Sequence, residues 1–176
     1  VLNLVGLHHL GLSNNRLTSL QIGNVVGLRW LNLDNNQLTS LPDSLGNLVG
    51  LKTLGLSNNR LTSLPEWFGN LVALHHLDMS YNQLTSLPDS LGNLSTLAEL
   101  RLNNNQLTKL PESFVKVGSR TTTPEAEWLE VLALQDNGFD EDSQPPLSII
   151  VEADRTNSVT PIKDWFFGSM RLPLVS

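Results

Sequence analysis

The chain has 176 residues with 17 acidic and 11 basic side chains, a net charge of −6. That length suits one domain, and nothing in the balance offers the basic stripe that a phosphate backbone requires, so no nucleic acid partner is expected. The absence of cysteine argues against a disulfide-capped secreted protein and fits a reducing, cytoplasmic location. No apolar run approaches the ~20 residues that span a bilayer, and no charged-then-apolar leader opens the chain. Membrane insertion is therefore not expected.

In chain order, one frame recurs: Leu, two free positions, Leu, one free, Leu, two free, Asn, one free, apolar. A partial copy occupies residues 1–6, and full copies start at residues 7, 28, 51, 74, 97 and 129. The third reads Leu51-Leu54-Leu56-Asn59-Leu61, and the weakest is the sixth, Leu129-Leu132-Leu134-Asn137-Phe139. Because Val1-Leu4-Leu7 matches Leu45-Leu48-Leu51, the chain opens inside a repeat and is expected to be a fragment. Self-similarity at this period is the mark of a leucine-rich-repeat solenoid, in which each coil buries its leucines on its neighbours. The triplet Asn93-Leu94-Ser95 lies inside this frame, so its match to a glycosylation site reads as chance.

Within the third copy, Leu54 and Leu56 alternate with Thr53, Gly55 and Ser57, the period of a strand with one buried face. Asn59 stands where the chain leaves the strand. Its amide can both donate to and accept from adjoining backbone, so Asn15, Asn36, Asn59, Asn82, Asn105 and Asn137 are expected to stack as a ladder. Pro65 is suited to the first turn of a short helix, Glu66 favours the helix dipole, and Phe68 and Leu71 would turn inward. The first copy is two residues shorter and lacks the Pro-Asp seen at Pro42-Asp43, so its outer turn should not be helical.

The spacing from Leu97 to Leu129 exceeds the norm by nine residues. The excess falls at about Gly118 to Ala126, a polar, turn-rich stretch expected to loop out on the convex side. Its Thr123-Pro124 reads as a phosphosite or, better, as a connector that starts a helical turn. The solenoid should thus run over residues 1–139, with 140–176 an acidic linker followed by a C-terminal cap or a docking segment. Charge follows the same division. Residues 1–119 carry seven acidic and seven basic side chains, whereas 120–176 carry ten and four.

The run Leu-Thr-Ser-Leu-Pro-Asp-Ser-Leu-Gly-Asn-Leu, at positions 38–48 and 84–94, resembles the intracellular leucine-rich repeats of Ras-suppressor-like and Scribble-type scaffolds. The resemblance implies an α/β fold: a right-handed horseshoe with a parallel sheet on its concave face and short helices or turns outside. It further implies a cytoplasmic protein that binds other proteins.

In such a fold the free strand positions form lanes across the concave face. One lane reads His9, Trp30, Thr53, His76, Glu99, Val131; the next reads Gly11, Asn32, Gly55, Asp78, Arg101, Ala133. Two candidate protein-binding clusters emerge. The first is an exposed Trp30 ringed by His9, Asn32 and Asp34, the kind of anchor interfaces favour. The second is His76, Asp78, Tyr81, Glu99 and Arg101, in which Asp78 and Arg101 are expected to pair across adjacent strands.

Catalysis is not expected. His76, Asp78 and Ser80 share a strand face, but a triad needs His between Ser and acid, and here Asp is in the middle. The His8-His9 and His75-His76 pairs point to opposite faces and suit no metal. No phosphate loop or other cofactor motif occurs. The reading is a non-enzymatic protein-interaction module of an intracellular scaffold or signalling protein. The alternative is the recognition or regulatory domain of a larger enzyme, such as a ubiquitin ligase, GTPase or kinase.

Overall fold

The computed structural model describes residues 6–23, 25–117, 131–139 and 150–152; the stretch at about 118–126 and most of 140–176 lie outside them. Seven three-residue strands form one sheet in chain order: β1 (His9–Gly11), β2 (Trp30–Asn32), β3 (Thr53–Gly55), β4 (His76–Asp78), β5 (Glu99–Arg101), β6 (Val131–Ala133) and β7 (Ile150–Glu152). The first six run parallel in one unbroken register, Leu10↔Leu31↔Leu54↔Leu77↔Leu100↔Leu132, and β7 pairs antiparallel with β6. The chain is thus a leucine-rich-repeat solenoid.

The leucines of the frame make its core. Leu28, Leu31, Leu33 and Leu38 are 0% exposed, as are Leu61, Leu71, Leu84 and Leu107. Full burial of such a side chain stabilises by about 1.5–3 kcal/mol, and the second to fifth coils each contribute several. Coil length follows from what lies outside this core. Among the described residues four 3-10 helices, η1 (Asp43–Asn47), η2 (Glu66–Asn70), η3 (Asp89–Asn93) and η4 (Glu112–Lys116), span the convex side. Each is preceded by proline in extended conformation, as at Pro65 with ψ 156°. Proline therefore caps these turns, one position earlier than the sequence suggested, because its ψ is extended and the helical turn begins only at Glu66. Phe68 is buried beneath η2. No helical turn forms among the described residues between β1 and β2, where Leu20 and Val25 fill the core instead.

Glycine lets neighbouring convex turns approach. A Cβ on Gly92 would stand 2.6 Å from the Ser113 carbonyl oxygen, and one on Gly69 would meet the Ser90 carbonyl still more closely. Backbone cannot yield there as a flexible side chain could, so the tight stacking of η2, η3 and η4 requires the missing side chain.

After each of the six parallel strands the chain turns through a left-handed residue: Asn14, Asn35, Asn58, Tyr81, Asn104 and Asp136 have φ between 53° and 58°. Asparagine and aspartate tolerate this region, whereas other side chains lose about 1–2 kcal/mol in it. The next residue is the repeat asparagine. Asn59 shows the bonding pattern: its Nδ2 donates to the carbonyls of Leu56 and Ser57 in its own coil and of Leu33 in the preceding one. Its Oδ1 accepts from the Leu38 N–H at 3.0 Å. Asn36, Asn82, Asn105 and Asn137 repeat this set. Among the described residues the Asn15 side chain bonds only within its own coil, to the Leu12 and Ser13 carbonyls.

Candidate binding groove

Strand register fixes which concave side chains meet. His9, Trp30, Thr53, His76, Glu99 and Val131 are successive partners, as are Gly11, Asn32, Gly55, Asp78, Arg101 and Ala133. Part of each cluster read from the sequence meets across β3 to form the two walls of one groove, while His9, Tyr81 and Arg101 lie outside its lining. Trp30, Asn32 and Asp34 line one side, and His76, Asp78 and Glu99 the other. Thr53 and Gly55 of β3 form the floor, enclosing about 280 Å³.

The groove exists because β3 carries small residues where its neighbours carry large ones. A Cβ on Gly55 would lie 2.8 Å from Asp34 Oδ1, so the Asp34 carboxylate occupies the space that a side chain there would take. The Trp30 ring lies over Gly11, with Cζ3 3.5 Å from where a Cβ would stand, an ordinary contact distance. Trp30 is half-buried, where an exposed ring was expected. It leans toward β1, with the His9 ring 6.4 Å away and tilted by 46°. The glycine lane was visible in the sequence. What it makes room for was not, because that depends on which way the neighbours' side chains lean.

The polar walls are held by backbone. Asp34 Oδ1 accepts from the Ser57 N–H at 2.7 Å, and Asn32 Oδ1 accepts from the Asp34 N–H at 2.9 Å. Asp78 Oδ1 accepts from both the N–H and the hydroxyl of Ser80. The ion pair shown for Arg101 is with Glu99 on its own strand rather than with Asp78 across the sheet. Glu99 also meets His76 Nδ1 at 3.1 Å. The reason is local: a carboxylate two residues along one strand shares the face with Arg101, while Asp78 is engaged by the turn that follows it. Burial pushes the Glu99 carboxyl up, but the hydrogen bonds and charges of Arg101 and His76 outweigh it and hold it below the ordinary glutamate value.

These contacts also separate the triad-like residues. His76 is turned to Glu99, while Asp78 and Ser80 are bound to each other. His8 and His75 donate back to the Gly6 and Ala73 carbonyls. Among the described residues no group of His, Asp and Glu is arranged to hold a metal ion, and no helix is long and apolar enough to cross a membrane.

On the outer face the structure adds a residue the sequence reading passed over. Trp67 stacks on Phe68 at 5.6 Å and donates its indole N–H to Asp43 Oδ1 at 3.0 Å. Asp43 is consequently not a free convex carboxylate.

The family model for a leucine-rich repeat region matches residues 1–117. The chain belongs to the leucine-rich-repeat family. Among solved structures, it is similar to a leucine-rich-repeat protein of Leptospira interrogans, with a TM-score of 0.66 and 35% identity over 74% of this chain. It also shares its fold with an internalin of Listeria monocytogenes, with a TM-score of 0.62 and 23% identity over 77% of this chain. The chain spans 38% and 36% of those two proteins' lengths. No curated protein matches it at a significant level. Leucine-rich-repeat domains are generally protein–protein interaction modules, and the repeat itself is typically non-enzymatic.

Proposed function

We propose that this chain is a non-enzymatic protein-binding module of a cytoplasmic scaffold or signalling protein of the Ras-suppressor and Scribble kind, and that it recognises its partner through the concave groove. The observation that carries the reading is the groove itself. An aromatic wall at Trp30 faces a polar wall at His76, Asp78 and Glu99 across the small residues of β3. Aromatic anchors ringed by polar groups are where interfaces concentrate their energy. The lack of cysteine supports an intracellular setting, since small secreted domains favour disulfides.

The test is affinity capture of a partner followed by titration calorimetry on variants of the full chain. Trp30→Ala should weaken binding by about 2 kcal/mol or more, the scale of an interface anchor. Asp89→Ala, an exposed carboxylate at the start of η3, should leave affinity unchanged. Loss of binding in Asp89→Ala with none in Trp30→Ala moves the interface to the convex side and removes the groove reading.

A further inference from the structure

Six asparagines occupy the ladder position, and the residues that follow them are Arg16, Gln37, Arg60, Gln83, Gln106 and Gly138. The last is the exception, and the fold does not ask for it. A Cβ on Gly138 would stand 3.5 Å from the Leu107 carbonyl oxygen and from Thr108 Cγ2, ordinary contact distances. Its backbone is not in the left-handed region that glycine alone enters freely. What the missing side chain does change is chemistry. Asparagine is among the chemically labile residues, and a bare glycine nitrogen can approach the Asn137 Cγ without obstruction.

We infer that Asn137–Gly138 is a self-modification site: it deamidates only when the sixth coil opens, and the product then keeps that coil from closing. The Gly138 nitrogen gives its proton to hydroxide and bonds to Asn137 Cγ. The Cγ–Nδ2 bond breaks, and Nδ2 leaves as ammonia with a proton taken from water. Water then opens the succinimide to aspartate or isoaspartate, so water enters, ammonia leaves and nothing is oxidised. In the closed coil neither group is free to react. Asn137 Nδ2 donates to the carbonyls of Leu102, Leu134 and Gln135 at 3.0, 2.8 and 3.4 Å, and Oδ1 accepts from the Leu107 N–H at 3.0 Å. The Gly138 N–H donates to the Leu107 carbonyl at 2.9 Å. Attack requires both to leave these partners together, which is a local opening. Gly138 is exposed, so hydroxide reaches it once that happens. The product does not fit back. A carboxylate accepts but cannot donate, so three carbonyls lose their donor and face a negative charge. Isoaspartate also adds a backbone carbon and shifts the residues after it out of register. The bonds to Leu102 and Leu107 tie the sixth coil to the fifth, so their loss releases that end of the solenoid. The inference is independent of the groove.

The experiment incubates the full chain at mildly alkaline pH and follows residue 137 by peptide mass spectrometry, with enzymatic methylation to count isoaspartate. Asn137 should exchange NH for oxygen while the other five ladder asparagines do not, and faster as pH rises. Folded protein should react at least about tenfold more slowly than the same chain in urea, because only the opened fraction reacts. Gly138→Ala should lose most of the reaction in both conditions. Hydrogen exchange on the aged wild-type protein, and on Asn137→Asp, should show lost protection at Leu107 and Gly138. Leu38 and Leu61, held by Asn59 and Asn82, should keep theirs. An unchanged residue 137 in folded protein, over a time in which the urea sample reacts fully, overturns the inference. So does Gly138→Ala reacting as fast as wild type. Full protection of Leu107 in the aged protein overturns the release of the sixth coil.

Discussion

The first coil and the third coil are built from the same frame and are held in different ways. In the third, Leu54, Leu56 and Leu61 are at most 1% exposed, and Asn59 joins its own coil to the one before. In the first, Leu7, Leu10, Leu12 and Leu17 are only half-buried and Asn15 is exposed. The sequence difference between them is slight. Among the described residues the third coil has a coil on either side and the first only the coil that follows it, and a coil in a solenoid owes its burial and its satisfied backbone to its neighbours.

Replacing the same leucine in each coil tests this most directly. Leu54→Ala should cost about 3–4 kcal/mol, and Leu10→Ala less than half as much, because a half-exposed site collapses or admits water instead of leaving a cavity. Urea unfolding of both variants measures the pair. Equal losses would mean that the first coil is as tightly packed as the third and that position along the solenoid does not matter.

The ladder gives the next largest contrast. Asn82→Ala removes a side chain with three donor contacts and one acceptor contact to backbone, two of the four reaching the preceding coil. Leaving such buried groups unpaired costs about 1–3 kcal/mol. Asn15→Ala should change stability by about 0.5 kcal/mol or less, the range of exposed positions. A similar loss in both variants would show that the bonds inside a coil, which the two share, carry the energy.

The smallest effect is a pH dependence. The Glu99 carboxyl sits below the ordinary value of about 4.3, so in the folded state it stays ionised to lower pH than in the unfolded chain. Its contribution is therefore complete above the unfolded value and fades as pH falls through the lowered folded one. Wild type should lose more stability than Glu99→Gln on acidification through that window, measured as the shift in urea midpoint. Identical acid profiles for the two proteins would remove the role assigned to Arg101 and His76.

The two walls of the groove were readable in part. The lanes followed from period and register alone, because parallel strands one repeat apart must align their leucines, and each free position is carried along with them. The pairing within the lanes was not readable. Asp78 stands beside Arg101 in register, yet its carboxylate bonds Ser80 and Arg101 meets Glu99. Two acceptors lay within reach of one guanidinium, and the choice turned on the local turn after β4. The same holds for Asp34, Asp43 and Asp78. Each counts as a surface carboxylate in sequence, but each accepts from an N–H of a neighbouring residue or coil.

The repeat in the sequence determined the solenoid, its strand positions, the buried leucines and the asparagines that could bridge coils. These depend on spacing, and spacing is local. Only the tertiary structure decided that β3 is a floor, that Trp30 folds down over Gly11, and that Tyr81 is locked in a left-handed turn between Asn59 and Asn103. Those outcomes depend on side chains some 20 residues apart in the chain that become neighbours only when one coil is laid upon the next, at the ~4.8 Å separation of paired strands.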